Sequence, residues 1–99
     1  MTTVKLEIDN DQQGAFVLYE SEKKVGEMTV SISDRELTVY HTEIIPESGG
    51  KGYGKLLLDE MTAYARQQKI MVIPLCPFVF GYFKKNRSDF ADIWKKAYG

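Results

Sequence analysis

The segment GGKGYGK, residues 49–55, places four glycines and two lysines directly before an amphipathic run. A helix start leaves its first backbone N–H groups without partners and carries about half a positive charge. Glycines before such a helix let successive N–H groups converge and leave the approach free of side chains. This chemistry suits a diphosphate, and Lys51 and Lys55 would add positive charge nearby. The alternative interpretation is a flexible connection between a strand and a helix.

The glycine loop, defined as residues 49–54, does not match the best-known phosphate motifs. Gly49 and Gly54 have the glycine spacing of Gly-x-x-x-x-Gly-Lys-Ser/Thr, but Leu56 occupies the Ser/Thr position. The hydroxyl that would bind magnesium is therefore missing. A dinucleotide-binding fold would place the loop after the first strand of a parallel sheet, whereas several alternating strands precede it here.

The single cysteine, Cys76, precedes Pro77 after a short apolar run. Proline pushes the residue before it out of the helical region and favours the first helical position, so Cys76 is predicted to be the N-cap of a helix. A thiol there lies at the positive end of the helix dipole, which favours reactivity. The alternative is a small buried hydrophobic residue. A single cysteine excludes an internal disulfide, and because His41 is the only histidine, a protein-only zinc site is not expected either.

Hydrophobic periodicity predicts the elements that position these groups. Alternation with period two predicts four antiparallel strands, at residues 4–8, 15–20, 25–32 and 36–45, with a first turn at Asn10 and Asp11. The period then becomes helical over residues 52–68, with one apolar face formed by Leu57, Met61, Tyr64 and Ala65. A buried strand at 70–75 and two helices, at 77–86 and 89–98, complete the prediction, with Trp94 and Tyr98 packing the last helix onto the protein.

The order strand, loop, helix, strand over residues 36–75 indicates a parallel pair joined by a right-handed crossover. In open α/β sheets, ligands bind beyond the carboxyl ends of such strands. Residues 48–54 and the Cys76–Pro77 pair are both predicted to lie at this edge.

Composition limits the classes of function. The chain has 99 residues, 43% hydrophobic and 27% charged, which suits a single domain over residues 1–99. A net charge of −1 gives no general attraction to nucleic acid or to an anionic membrane. Because no apolar run approaches the roughly 20 residues of a membrane span and no secretory signal is recognisable, the cytoplasm is the expected compartment.

Four segments, taken in order and spacing, resemble the GNAT superfamily of acetyl-CoA-dependent N-acetyltransferases, in particular its small single-domain branch: HTEI (residues 41–44), GGKGYG (49–54), PLCPFV (74–79) and Tyr82. The resemblance covers about residues 36–93. It implies an α/β fold with a mostly antiparallel sheet, in which a parallel, splayed pair of strands flanks a central helix and short helices end the chain. Gly52 and Gly54 match the family loop pattern, Arg/Gln-x-x-Gly-x-Gly/Ala, whereas Gly49 stands where Arg or Gln is usual.

The resemblance implies acetyl-CoA, or coenzyme A, as cofactor. Loop N–H groups would hold its pyrophosphate, and backbone groups of residues 41–44 would lie along the pantetheine, with one N–H polarising the acetyl carbonyl. Cys76 would lie near the sulfur, as a nucleophile or as an acid–base group, and Tyr82 would protonate the departing thiolate. The predicted catalytic residues are Cys76, Tyr82 and His41; the predicted cofactor-binding residues are His41, Thr42, Glu43, Ile44, Gly49, Gly50, Lys51, Gly52, Tyr53, Gly54, Lys55 and Cys76.

The predicted function is acetyl transfer to an amine, either a small molecule or a protein. Two alternatives stay open: a coenzyme A-binding sensor or accessory module, and an interaction domain whose glycine loop is only a connection. Larger members of the superfamily form an acceptor groove from helices between their first strands, whereas short turns join these strands here. No nucleic acid or membrane partner is expected, and the predicted state is a monomer or a weak homodimer. The basic cluster at residues 84–87 is either a solvated face or a contact for the 3′-phosphate of coenzyme A.

Overall fold

The alternating first half of the chain forms a meander, and the glycine loop and a helix connect it to a fifth strand. The computed structural model describes residues 1–9 and 11–95. The sheet contains five strands in chain order: β1 (Thr2–Ile8), β2 (Gln13–Glu20), β3 (Lys23–Ile32), β4 (Glu36–Ile44) and β5 (Met71–Pro74). The helices are α1 (Tyr53–Gln68), α2 (Pro77–Lys85) and α3 (Arg87–Phe90), and a short 3₁₀ turn at Pro46–Ser48 precedes the loop. In the part of the chain described, no helix combines the length and apolar character needed to cross a bilayer.

The core lies between one face of the sheet and the apolar stripe of α1. Leu57, Met61 and Ala65 are fully buried, as predicted, whereas Tyr64 is half-buried and packs edge-on against Phe16 of β2 at 5.8 Å. Burial of this stripe stabilises the helix more than its intrinsic propensity does. Residues that alternate with core positions on β3 and β4 are exposed or half-buried, so the other face of the sheet is open to solvent.

The predicted parallel crossover is confirmed, and the parallel pair separates after four residues. Strand β5 pairs with β4 only from Glu36 to Val39. Tyr40 has no partner on β3, because Val39 pairs with Val30 and the next pair joins His41 to Thr29. Such a bulge bends its strand, and residues 41–44 of β4 pair only with β3. The result is the splay that the resemblance implied.

The predicted second C-terminal helix, over residues 89–98, is wrong in its described part. Helix α3 ends at Phe90, and the chain then returns to the outer edge of β5, where the N–H of Val72 donates to the carbonyl of Ile93 at 2.6 Å and the N–H of Lys95 donates to Val72 at 2.9 Å. An open strand edge needs partners for its backbone groups, and this bridge supplies them. Trp94 contacts Phe83 at 5.8 Å, whereas Asn10 and Tyr98 lie outside the described residues.

An ion pair between α1 and the C-terminal segment predicts a pH-dependent contribution to stability. Arg66 Nε donates to Asp92 Oδ2 at 2.9 Å, and this hydrogen bond lowers the pKa of Asp92. A lowered pKa in the folded state stabilises above the unfolded pKa and is lost as the pH falls through the folded value. Because the Asp92 side chain is 58% exposed, we expect Asp92→Asn to cost only about 0.2–1 kcal/mol at pH 7.

This cost should vanish near pH 2, roughly two units below the ordinary aspartate pKa, where Asp92 is protonated in the folded and in the unfolded protein. Urea unfolding of the wild type and the variant at both pH values measures it. Asp34→Asn, at an exposed turn residue, is the control. An equal difference at the two pH values would show that the pair does not act through charge.

Candidate functional site

The glycine loop presents unpaired backbone donors at the start of α1. Gly50 and Gly52 have φ values of 81° and 78°, in the left-handed region that favours glycine. Gly52 is the N-cap, and no side chain caps this helix. Among the described residues, none accepts a hydrogen bond from the backbone N–H groups of residues 50–54, whereas the N–H of Lys55 donates to the Gly52 carbonyl at 3.2 Å. Five consecutive N–H groups are therefore available to a ligand.

Helix α2 closes over this loop because Gly54 has no side chain. A Cβ at Gly54 would lie 3.0 Å from Cζ of Phe78, so the glycine permits the close approach of the ring. The loop and α2 together enclose a cleft of about 280 Å³, also lined by Ile44 of the splayed part of β4 and by Tyr82. The structure thus brings Tyr82, Ile44 and the loop glycines to one cavity.

A second, larger cleft of about 620 Å³ lies between α1 and the pair α2–α3. It shares Lys55, Phe78 and Tyr82 with the loop cleft, so the two cavities adjoin. It is also lined by Lys85 and by others: Asp59, Gly81, Asn86, Asp89 and Phe90. Lys55 Nζ lies 2.9 Å from Asp59 Oδ1, and this hydrogen bond raises the pKa of Lys55. Part of the basic cluster at residues 84–87 therefore faces a cavity.

Cys76 is the N-cap of α2, as predicted, and lies at the mouth of the splay. Its N–H donates to the carbonyl of Val39, the last residue of β4 that pairs with β5, at 2.9 Å. The thiol is 2% exposed, and Sγ lies 3.3 Å from Oγ1 of Thr42. The thiol and the hydroxyl therefore face each other across the gap between the two strands. The sequence singled out the backbone of Thr42 but not this hydroxyl.

The side chains of His41 and Glu43 lie on the other face of the sheet from Cys76. Successive residues of a strand alternate between faces, and Thr42, between them, contacts the thiol. His41 and Glu43 are both exposed, and His41 pairs with Thr29 on β3. The structure therefore separates the His41 imidazole from Cys76, although the backbone of residues 41–44 borders the splay.

Lys51 contacts β2 and does not line the loop cleft. Its Nζ lies 3.6 Å from Oε2 of Glu20 and 5.8 Å from the ring centre of Tyr53. The hydroxyl of Tyr53 donates a hydrogen bond to the same Glu20 oxygen. That bond, together with the charge of Lys51, lowers the pKa of Glu20. The same bond and the burial of the hydroxyl raise the pKa of Tyr53. Glu20 is a residue of this region that the sequence prediction missed.

The comparisons agree with this geometry. Residues 6–93 match the model of the GCN5-related N-acetyl-transferases. The chain belongs to the GCN5-related N-acetyltransferase family. The predicted family and fold are therefore confirmed for this GCN5-related protein. Among curated proteins, none matches its sequence significantly.

Solved structures show the same fold at low sequence identity. A ribosomal-protein-alanine N-acetyltransferase from Brucella melitensis is 14% identical, with a TM-score of 0.70 over 100% of this chain and 95% of that one. A GCN5-like protein from Staphylococcus aureus is 23% identical, with a TM-score of 0.65 over 95% and 92%. The ribosomal-protein-S18-alanine N-acetyltransferase of Escherichia coli is 12% identical, with a TM-score of 0.68; the match covers 75% of this chain and 66% of the enzyme.

Proposed function

We propose that this protein binds acetyl-CoA and transfers its acetyl group to an amine. The observation that carries the proposal is the row of free N–H groups at residues 50–54. All of these residues except Lys51 line a cleft between the splayed strand β4 and helix α2. Backbone donors at a helix N-terminus bind phosphate groups well. No atom lies within 4 Å of a Cβ placed at Gly50 or Gly52, so these residues leave room for a diphosphate.

The larger cleft would hold the rest of the nucleotide. Phe78 and Tyr82 border both cavities and offer aromatic surfaces for stacking. Lys85 also lines this cleft, and its positive charge would pair with the 3′-phosphate. Lys55, although paired with Asp59, lies between the two cavities and would be near the phosphates.

Two side chains are suited to moving a proton: Tyr82, which lines both clefts, and Cys76, which lines neither and lies buried where β4 and β5 separate. Bound acetyl-CoA would supply an activated thioester. The transfer forms a C–N bond and breaks a C–S bond, so the amine must lose a proton and the sulfur must gain one. Thr42 is the polar side chain bonded to Cys76 in the described structure, and it is neutral. A neutral hydroxyl activates a nucleophile less than a basic partner does, so this contact favours Cys76 as an acid–base group over a nucleophile.

The acceptor would approach from the open face of the sheet. Residues 9–12 join β1 to β2, and residues 21–22 join β2 to β3, so both connections are short. An uncovered face suits an acceptor that supplies much of its own surface, such as a protein amine, and also admits a small molecule. The uncovered face also favours a second candidate function, a coenzyme A-binding module without efficient transfer, because among the described residues no helix between the first strands forms an acceptor groove there.

Calorimetric titration tests the cofactor proposal. We expect coenzyme A to bind, and pantetheine, which lacks both the diphosphate and the nucleotide, to bind at least about tenfold more weakly, because the loop donors would have no anion to contact and the larger cleft would stay empty. An absence of binding at millimolar coenzyme A would overturn both candidate functions. Turnover of acetyl-CoA with a panel of polyamines, amino acids and lysine peptides then separates them: binding without transfer identifies the accessory module.

A further inference from the structure

We infer that Glu20 is a positioning residue for the proposed cofactor site: its carboxylate holds Lys51 and Tyr53 on the β2 side of the glycine loop, so that the backbone N–H groups of residues 50–54 stay available to the diphosphate. The inference rests on the coenzyme A binding proposed above. Glu20 lies 33 residues before Tyr53 in the chain and belongs to no motif of the loop.

The glycine loop contains only two residues with side chains beyond glycine, and both contact the same carboxylate. Lys51 is 3.6 Å from Oε2 of Glu20, and the Tyr53 hydroxyl donates to that oxygen. Lys51 also lies over the Tyr53 ring, at 5.8 Å from its centre. No other residue of the loop has a side chain that restrains it.

The carboxylate is a suitable anchor because the sheet fixes its backbone from both sides. Glu20 is the last residue of β2 and pairs with Thr2 of β1 and with Lys23 of β3. The loop itself is weakly restrained, since Gly50 and Gly52 have open space around them and a wide choice of conformations. Tyr53, in contrast, is only 9% exposed and is the first residue of α1, so its hydrogen bond ties the helix start to the sheet.

The arrangement separates side chains from backbone donors. The loop cleft is lined by Gly49, Gly50, Gly52, Tyr53 and Gly54 but not by Lys51, whose ammonium group is engaged by Glu20. The diphosphate would therefore be held by amides rather than by the lysine of the loop. If Glu20 acted only through its charge, removing it would raise the affinity for coenzyme A. If Glu20 positions the loop, removing it lowers that affinity.

Titration with coenzyme A distinguishes the two. Removing a carboxylate near a polyanionic ligand should strengthen binding if only charge matters. If Glu20 positions the loop, Glu20→Ala weakens binding by about tenfold, because Tyr53 and Lys51 lose their shared partner. Glu20→Gln keeps an acceptor for the Tyr53 hydroxyl and should stay within about threefold of the wild type. Glu47→Ala is the matched control, since Glu47 is also near the loop but makes only an exposed contact with Lys23 at 3.9 Å.

Amide chemical shifts of residues 50–54, measured without ligand, provide a readout that does not depend on the cofactor. Glu20→Ala should shift these resonances, whereas Glu47→Ala should leave them unchanged. Wild-type affinity or tighter binding in Glu20→Ala, or unaltered loop amides, overturns the inference. If the wild type binds no coenzyme A, the proposed function fails and, with it, the role toward the cofactor; the loop amides then decide whether Glu20 positions the loop at all.

Discussion

Replacing Gly52 with valine is expected to weaken coenzyme A binding by about tenfold or more while the protein still folds. Gly52 is the N-cap of α1, with φ 78° and ψ 17°. A β-branched residue rarely adopts this left-handed conformation. The backbone at residue 52 would therefore take a different conformation or remain strained. Either outcome disturbs the row of N–H groups that the proposed function needs. Calorimetric titration measures the affinity, and urea unfolding confirms that the variant is folded.

Asparagine at the same position separates backbone conformation from bulk. It tolerates the left-handed region better than other residues with a side chain. No atom lies within 4 Å of a Cβ built at Gly52, so neither variant meets a neighbour within the described chain. Gly52→Asn should therefore bind within about threefold of the wild type. Equal loss in both variants would mean that side-chain bulk at the loop, rather than its conformation, controls binding.

Local patterns predicted the elements and the loop well because each of those features depends on neighbouring residues. Period-two alternation locates four strands, and the change to helical period locates α1 to within a residue of its observed start at Tyr53. The pairing of Cys76 with Pro77 predicted the N-cap of α2 for a stereochemical reason that needs no tertiary structure. The clustered glycines likewise predicted a helix start with free donors.

The bulge at Tyr40 was not predicted, although a trace of it is present in the sequence. Before the bulge, the side chains that face the core stand at odd positions, Leu37 and Val39. After it, the side chains on that same face stand at even positions, Thr42 and Ile44. Such a change of phase indicates an inserted residue, but neither glycine nor proline marks it. The bulge matters for the proposed function because it turns Thr42 toward Cys76 and His41 away.

Contacts between distant segments account for the features that the sequence did not reveal. Glu20 meets Tyr53 only because the end of β2 lies beside the start of α1, and no periodicity encodes that placement. The C-terminal segment forms a bridge to Val72 rather than a continued helix because β5 leaves an open edge. In both cases the tertiary partner, not the local propensity, decides the outcome.

The thiol of Cys76 should contribute more to turnover than to cofactor binding. It lies at the mouth of the splay, buried and hydrogen-bonded to Thr42 at 3.3 Å. General acid–base groups contribute roughly 100-fold to 10,000-fold to enzyme rates. We therefore expect Cys76→Ala to lower kcat by about 100-fold or more with coenzyme A affinity changed less than about threefold. Release of free coenzyme A, with the most active amine of the panel, measures the rate.

Two further variants identify which proton donor acts and how. Thr42→Val keeps the shape of the side chain but removes the hydroxyl that contacts Sγ, so kcat should fall by less than in Cys76→Ala. Tyr82→Phe keeps the ring that lines both clefts and removes only the hydroxyl. If Tyr82→Phe has the larger effect, the tyrosine is the principal donor and Cys76 supports it. An acetylated intact mass in the wild type that is absent from Cys76→Ala would make the cysteine a nucleophile, and wild-type turnover in Cys76→Ala would remove it from the chemistry altogether.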